Sequence, residues 1–243
     1  MAIAQTRGLT KIYGTGDTAV VALDHVDLDI EAGEFVAVMG PSGCGKSTLL
    51  NLIGGLDTPS EGSVVLDGRE TASMSDNELT RLRRERIGFV FQFFNLIPVL
   101  SALENAALPL QLDKGGPARA QKTAEEWLTR VGLDDRRANR PDQLSGGQQQ
   151  RVAVAHALVT DPALVLADEP TGNLDSRSSE EIATLLRQVS SEWGRAILMV
   201  THDPRIAAHA DRIVFMRDGK IVDDTRIADA ESARDAMERV GLL

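Results

Sequence analysis

Apolar and acidic residues alternate at period two in Val26-Asp-Leu28-Asp-Ile30, the pattern of a strand with one face in a core and the other in water. The stretches 3–13 and 20–30 read as two such strands about a turn at Gly14-Thr-Gly16-Asp17. Four shorter runs have almost no polar face: Phe35–Met39, Ile87–Phe91, Ala163–Ala167 and Ala196–Val200. Strands of that kind belong inside a sheet covered on both sides. Residues 63–66 form a further strand before the turn Asp67-Gly68, and 213–217 with 220–222 form a closing hairpin about Asp218-Gly219. Helical spacing predicts helices over 75–86, 101–111, 117–131, 177–193 with Ser176 as cap, and 229–240 as a surface helix. Another helix follows Gln148, with Val152, Ala155 and Val159 on its apolar face. Asp57-Thr-Pro59-Ser60-Glu-Gly62 is a turn, and 113–117 and 134–141 are connections. Strands alternating with helices in this way indicate an α/β fold with a mainly parallel sheet.

The run Phe35–Met39 leads into Gly40-Pro-Ser-Gly-Cys-Gly-Lys46-Ser47-Thr48. Its spacing, G-x-x-x-x-G-K-[ST], is that of a phosphate-binding loop, in the strand-then-helix context the motif requires. Gly40, Gly43 and Gly45 let the chain fold back with successive N–H groups turned inward as a nest for phosphate oxygens. The helix running through Leu49, Leu50 and Ile53 adds the positive end of its dipole. Lys46 is then placed for the β- and γ-phosphates, and the Ser47 hydroxyl for Mg²⁺.

A second glycine turn, Gln143-Leu144-Ser145-Gly146-Gly147-Gln148, also precedes a helix, either as another anion site or as an ordinary cap. The strand 163–167 ends in Asp168-Glu169-Pro170. Paired carboxylates at the carboxyl edge of a buried strand lie where doubly wound sheets bind ligands, so Asp168 suits Mg²⁺ and Glu169 suits holding and deprotonating water. His202 leaves the strand 196–200 at the same edge. Tyr13, the single tyrosine, sits just before a glycine turn, where its ring either stacks on a nucleotide base or packs an edge strand. Four of the six phenylalanines fall between residues 89 and 94, and either fill the core of a helical subdomain or form an exposed patch for another protein. Arg81, Arg83, Arg84 and Arg86 crowd the end of one helix and read as a solvated terminus matched to the dipole.

Composition removes several classes. Hydrophobic residues at 42% and charged residues at 26% describe an ordinary globular chain, and a formal charge of −10 disfavours nucleic acid as a partner. The one cysteine, Cys44, excludes an intrachain disulfide framework and fits a reducing compartment. The first residues, Met-Ala-Ile-Ala-Gln-Thr-Arg, lack an apolar signal core, and no run approaches the ~18 apolar residues of a membrane span. No repeat or appended domain is expected.

Taken in order, Gly40–Ser47, Gln92, Leu144-Ser-Gly-Gly-Gln148, Asp168-Glu169, Asn173-Leu-Asp175 and His202 resemble the nucleotide-binding subunit of an ABC transporter. The runs Gly88–Pro98 and Leu166–Asp175 are similar to the lipoprotein-release and macrolide-export subfamily. The resemblance implies one ABC ATPase domain over 1–243: a P-loop NTPase core with an antiparallel β subdomain (approximately 1–90 and 160–243) and a helical subdomain (approximately 91–159). It implies ATP and Mg²⁺ as ligands. Tyr13 would stack on adenine, and Gly40, Ser42, Gly43, Cys44, Gly45, Lys46, Ser47 and Thr48 would line the nucleotide. Ser47, Gln92 and Asp168 would attend the metal, Gln92 would also sense the membrane partner, and His202 would contact the γ-phosphate. Glu169 would be the general base, with Lys46, His202 and Gln92 completing the catalytic set. Ser145, Gly147, Gln148 and Asp175 would meet the nucleotide held by another copy, in a head-to-tail dimer. The expected partners are that second copy and integral membrane permease subunits, and the expected location is the cytoplasmic face of the inner membrane. The alternative is a non-transport ABC ATPase that regulates a cell-envelope complex. His156 departs from the arginine usual in the family.

Overall fold

A computed structural model describes residues 1–111, 116–227 and 230–241. In chain order its strands are β1 (Ala2–Tyr13), β2 (Val20–Glu31), β3 (Phe35–Met39), β4 (Glu61–Leu66), β5 (Arg69–Glu70), β6 (Ile87–Phe91), β7 (Leu164–Asp168), β8 (Ala196–Val200), β9 (Arg212–Arg217) and β10 (Lys220–Arg226). The helices are α1 (Lys46–Ile53), α2 (Asp76–Arg86), α3 (Ala102–Gln111), α4 (Pro117–Arg130), α5 (Gly146–Leu158), α6 (Ser176–Ser191), α7 (Pro204–Ala207) and α8 (Ala230–Arg239).

Alternation along the strands explains how the layers stack. One sheet has the order β10-β9-β3-β8-β7-β6, and every pairing in it is parallel except the β9–β10 hairpin. Phe35, Ala37 and Met39 of β3 point to one side, into a core shared with α3 to α8. Val36 and Val38 point to the other, into a core shared with α1 and with the second sheet, order β2-β1-β4-β5. That second sheet is antiparallel throughout, and its half-polar strands keep one face in water. Trp127 of α4 meets Trp193 edge to face at 5.1 Å, and Arg151 of α5 pairs with Glu181 of α6 at 2.9 Å, so the α3–α5 layer is fastened to the rest.

Three expectations are corrected. Asp175, not Ser176, caps α6: its carboxylate accepts both the N–H and the hydroxyl of Ser178 at 2.9 Å, and Ser176 is the first helical residue. The last strand continues past 222 to Arg226, because Asp223 and Asp224 find partners in Arg239 and Arg212. The final helix is not wholly on the surface, since Ala233, Ala236 and Met237 are buried. Of the predicted connection 113–117, residues 113–115 lie outside the described residues and Pro117 already opens α4; position 229 of the predicted last helix also lies outside them.

Candidate active site

Strand register brings the predicted residues to one edge. Val38 of β3 pairs with Val200 of β8, Val200 with Asp168 of β7, and Asp168 with Phe91 of β6. Neighbouring strands are about 4.8 Å apart, so the residues that follow this row emerge together. They are the loop from Gly40, His202, Glu169 and Gln92.

In the loop, Gly45 adopts φ +103° and precedes the first turn of α1, whose N–H groups open toward the nest. Lys46 is buried, and its ammonium donates to the carbonyls of Gly40 (2.8 Å) and Pro41 (2.9 Å), with Cys44 Sγ 3.9 Å away. The Ser47 hydroxyl donates to Asp168 Oδ1 at 3.0 Å. Burial raises the Asp168 carboxyl above the ordinary carboxylate value; the Ser47 bond opposes this, the Glu169 charge adds to it, and Lys46 opposes it.

Glu169 is a non-glycine residue at φ +45°, fixed by its N–H donating to the Val200 carbonyl and its own carbonyl accepting from Gly172, both at 3.0 Å. Its Oε2 lies 3.0 Å from His202 Nδ1. With Nδ1–H donating to this carboxylate, Nε2 accepts in the neutral ring and donates only in the imidazolium. Gln92 lies across the edge, its amide donating to Asn173 Oδ1 at 3.3 Å while Asn173 donates to its backbone carbonyl at 3.0 Å. Tyr13 is partly exposed and donates its hydroxyl to Asp57 at 2.8 Å.

The second glycine turn goes elsewhere. Ser145 caps α5, accepting from the Gln148 N–H at 3.3 Å while its own N–H donates to the Gln148 side chain at 2.9 Å. Gly147 lies beside Ser178, which is bonded to Asp175, so these residues share one open face. Among the described residues no hydrogen bond or ion pair joins 145–148 to the loop 40–48.

The model of the ABC transporter family matches residues 23–172. The chain belongs to the ABC transporter family. It is an ATP-binding, ATP-hydrolysing subunit of that family. An uncharacterised ABC transporter ATP-binding protein of Methanocaldococcus jannaschii, MJ0796, is 50% identical over 219 residues, covering 88% of this chain and 93% of that protein. A macrolide export ATP-binding/permease protein, MacB 1/2 of Paracoccus denitrificans, is 51% identical over 225 residues, or 92% of this chain and 33% of that longer protein. A dimeric structure of the ATP-binding cassette MJ0796 in a post-hydrolysis state, bound to ADP and Pi, matches with a TM-score of 0.84 at 47% identity, covering 92% of this chain and 98% of that one.

Several residues of this ABC subunit carry structure that spacing alone did not reveal. Pro109 inside α3 has no N–H for the Asn105 carbonyl one turn back, and His156 takes that carbonyl instead, Nδ1 to O at 2.8 Å. Burial lowers the His156 pKa, which keeps the ring neutral in this role. The Asn105 side chain, itself buried, bonds Ile97, Leu100 and Ser101 and so shapes the loop that follows Gln92. An asparagine amid an apolar helical face was the one available signal. The phenylalanines divide: Phe89 and Phe91 stack at 5.7 Å and are half-buried, whereas Phe93 is 73% exposed. Phe89, Phe91, Phe94, Leu96 and Leu108 line a groove of about 450 Å³. No helix among the described residues is long and apolar enough to cross a membrane.

Proposed function

We propose that two copies of this chain close head to tail on two ATP molecules, and that closing and reopening drive permease subunits docked at the groove beside Phe93. The observation that carries this reading is the division of the motifs. Lys46, Ser47, Asp168, Glu169 and His202 converge on one sheet edge, while Ser145, Gly147 and Asp175 share a face that bonds none of them. Two-fold symmetry lets each copy offer its Ser145 face to the other's loop. The named relatives, a dimeric cassette bound to ADP and Pi and an export protein joined to its own permease, support the same arrangement.

In this reading Lys46 exchanges its loop carbonyls for the β- and γ-phosphates, and the loop from Gly40 through Thr48 wraps the nucleotide, with Ser42, Gly43, Cys44 and Gly45 against the phosphates. The Ser47 hydroxyl and Asp168 carboxylate would hold Mg²⁺: two hard oxygen ligands suit an ion that keeps waters and phosphates as its other ligands. That ion supplies neutralisation of phosphate charge when bound. Glu169 orients a water in line with the γ-phosphorus and accepts its proton, giving ADP and phosphate. His202 is held by Glu169 and steadies the γ-phosphate. Gln92, paired with Asn173, relays between this edge and the groove, and Ser145, Gly147, Gln148 and Asp175 serve the neighbour's nucleotide. Closure performs work only if the closed pair binds ATP more tightly than the open one. The helical segment, approximately 91–159, carries the docking groove, and the subunit sits on the cytoplasmic face of the membrane.

Docking is tested with Phe93→Asp, a change on an exposed ring. The variant is expected to hydrolyse ATP in solution within about twofold of wild type, yet to lose the membrane protein that co-purifies in gentle detergent. Retention of that partner at wild-type yield would move the docking face elsewhere.

A further inference from the structure

Tyr13 is held from two directions by residues that none of the motifs includes. Its hydroxyl donates to Asp57 Oδ2 at 2.8 Å, and Lys11 Nζ lies over the ring, 4.9 Å from its centroid. Lys11 also donates to Asp57 Oδ1 at 2.6 Å and to the Thr58 carbonyl at 2.7 Å, and the Thr58 N–H donates to the same Oδ1 at 2.7 Å. The three side chains thus close a triangle between the end of β1 and the turn after α1.

The triangle is better protected than most surface pairs: the Lys11 side chain is 12% exposed and that of Asp57 31%, whereas Tyr13 remains 43% exposed. Lys11 in the first place, and Tyr13 with it, hold the Asp57 carboxyl below its ordinary value. Tethering β1 to the turn does not require it. The Ser60 N–H already donates to the Thr10 carbonyl at 2.9 Å, and the Ile12 N–H to Ser60 Oγ at 3.0 Å. What the triangle adds is one orientation of the phenol ring, whose hydroxyl also meets the Thr48 side chain, with the ammonium against one face and the residue still 43% exposed.

We infer that Lys11 and Asp57 are positioning residues for the nucleotide base: they lock Tyr13 in the orientation in which its ring stacks on the base of ATP. This rests on the reading of Tyr13 as the base platform. An unlocked aromatic side chain loses rotamer freedom when a base binds, and that cost lowers affinity without touching the phosphates.

The test compares hydrolysis of MgATP with inhibition by inorganic tripolyphosphate, which has the phosphates and no base. Asp57→Ala and Lys11→Met are expected to raise KM for ATP roughly three- to tenfold, with kcat and the tripolyphosphate Ki unchanged and with Asp57→Glu partly restoring KM. Tyr13→Ala is expected to raise KM about tenfold or more, again without moving Ki. If Tyr13→Ala raises KM and Asp57→Ala does not, the positioning role is overturned. If KM and Ki rise together in Asp57→Ala, the residue supports the phosphate loop and the inference is equally overturned. A KM untouched by Tyr13→Ala instead removes the platform assignment itself.

Discussion

Glu169→Gln is expected to bind MgATP as tightly as the wild type and to hydrolyse it at least about 10²-fold more slowly. The amide keeps the shape of the carboxylate and can still accept the hydrogen bond that His202 Nδ1 now gives to Oε2 at 3.0 Å. It cannot take a proton from water. The backbone at Glu169 is in the left-handed region at φ +45°, an uncommon place for a side chain of this length, and the bonds from Val200 and Gly172 hold it there independently of charge. The substitution therefore leaves the edge of the sheet intact, and the thermal midpoint is expected to stay at the wild-type value. Bound ATP that is not consumed should also accumulate the closed pair, seen by sizing. Turnover within tenfold of wild type, with ATP binding unaltered, would remove Glu169 from the role of base.

Gly45→Ala should abolish nucleotide binding and destabilise the fold together. At φ +103° a side chain is strained, and a Cβ there would lie 2.3 Å from the Ala22 carbonyl oxygen and 2.8 Å from a methyl carbon of Leu23. The methyl group of Leu23 can shift; the carbonyl belongs to β2 and cannot move without disturbing the contact between the two sheets. The neighbouring loop residue is tied in the same way, Cys44 accepting from the Gly219 N–H at 3.1 Å and Asp24 donating to the Gly219 carbonyl at 2.9 Å. The cost is at least about 2 kcal/mol, or a fall in Tm of roughly 4–8 °C in a chain of this size. Equilibrium binding of ATP is expected to fall below detection even where the variant remains folded. A variant with wild-type Tm and affinity would show that the loop does not need this glycine.

The legible parts of the molecule were those whose chemistry is local. Phe35 to Thr48 announced a strand, a nest and a helix in fourteen residues, and Asp168-Glu169 ended a run too apolar to be anything but a buried strand. What spacing could not resolve depended on contacts across the chain. Asp175 and Ser176 are both good caps, and the choice fell to Asp175 because Ser178 offers it two hydrogen bonds. His156 read as a missing arginine until Pro109, 47 positions earlier, was seen to leave the Asn105 carbonyl without a helical donor. The buried side of α8 consists largely of alanines, which carry too little apolar surface to declare a core face. The phenylalanines between 89 and 94 could not be sorted because alternation in β6 stops at Phe91, after which the chain turns through Phe94 and Asn95 at positive φ.

In the proposed pair each ATP is shared between copies, and mixing two disabled variants tests that most directly. Lys46→Ala removes the phosphate ligand and keeps the Ser145 face; Ser145→Arg blocks that face and keeps the loop. Each alone should be inactive, since both sites of each pair are then defective. A mixed pair contains one site built from the intact loop of one copy and the intact Ser145 face of the other, so ATPase activity is expected to return on mixing and to peak near equal amounts. Activity that stays at the sum of the two parents at every ratio, while sizing shows that mixed pairs have formed, would contradict a shared site.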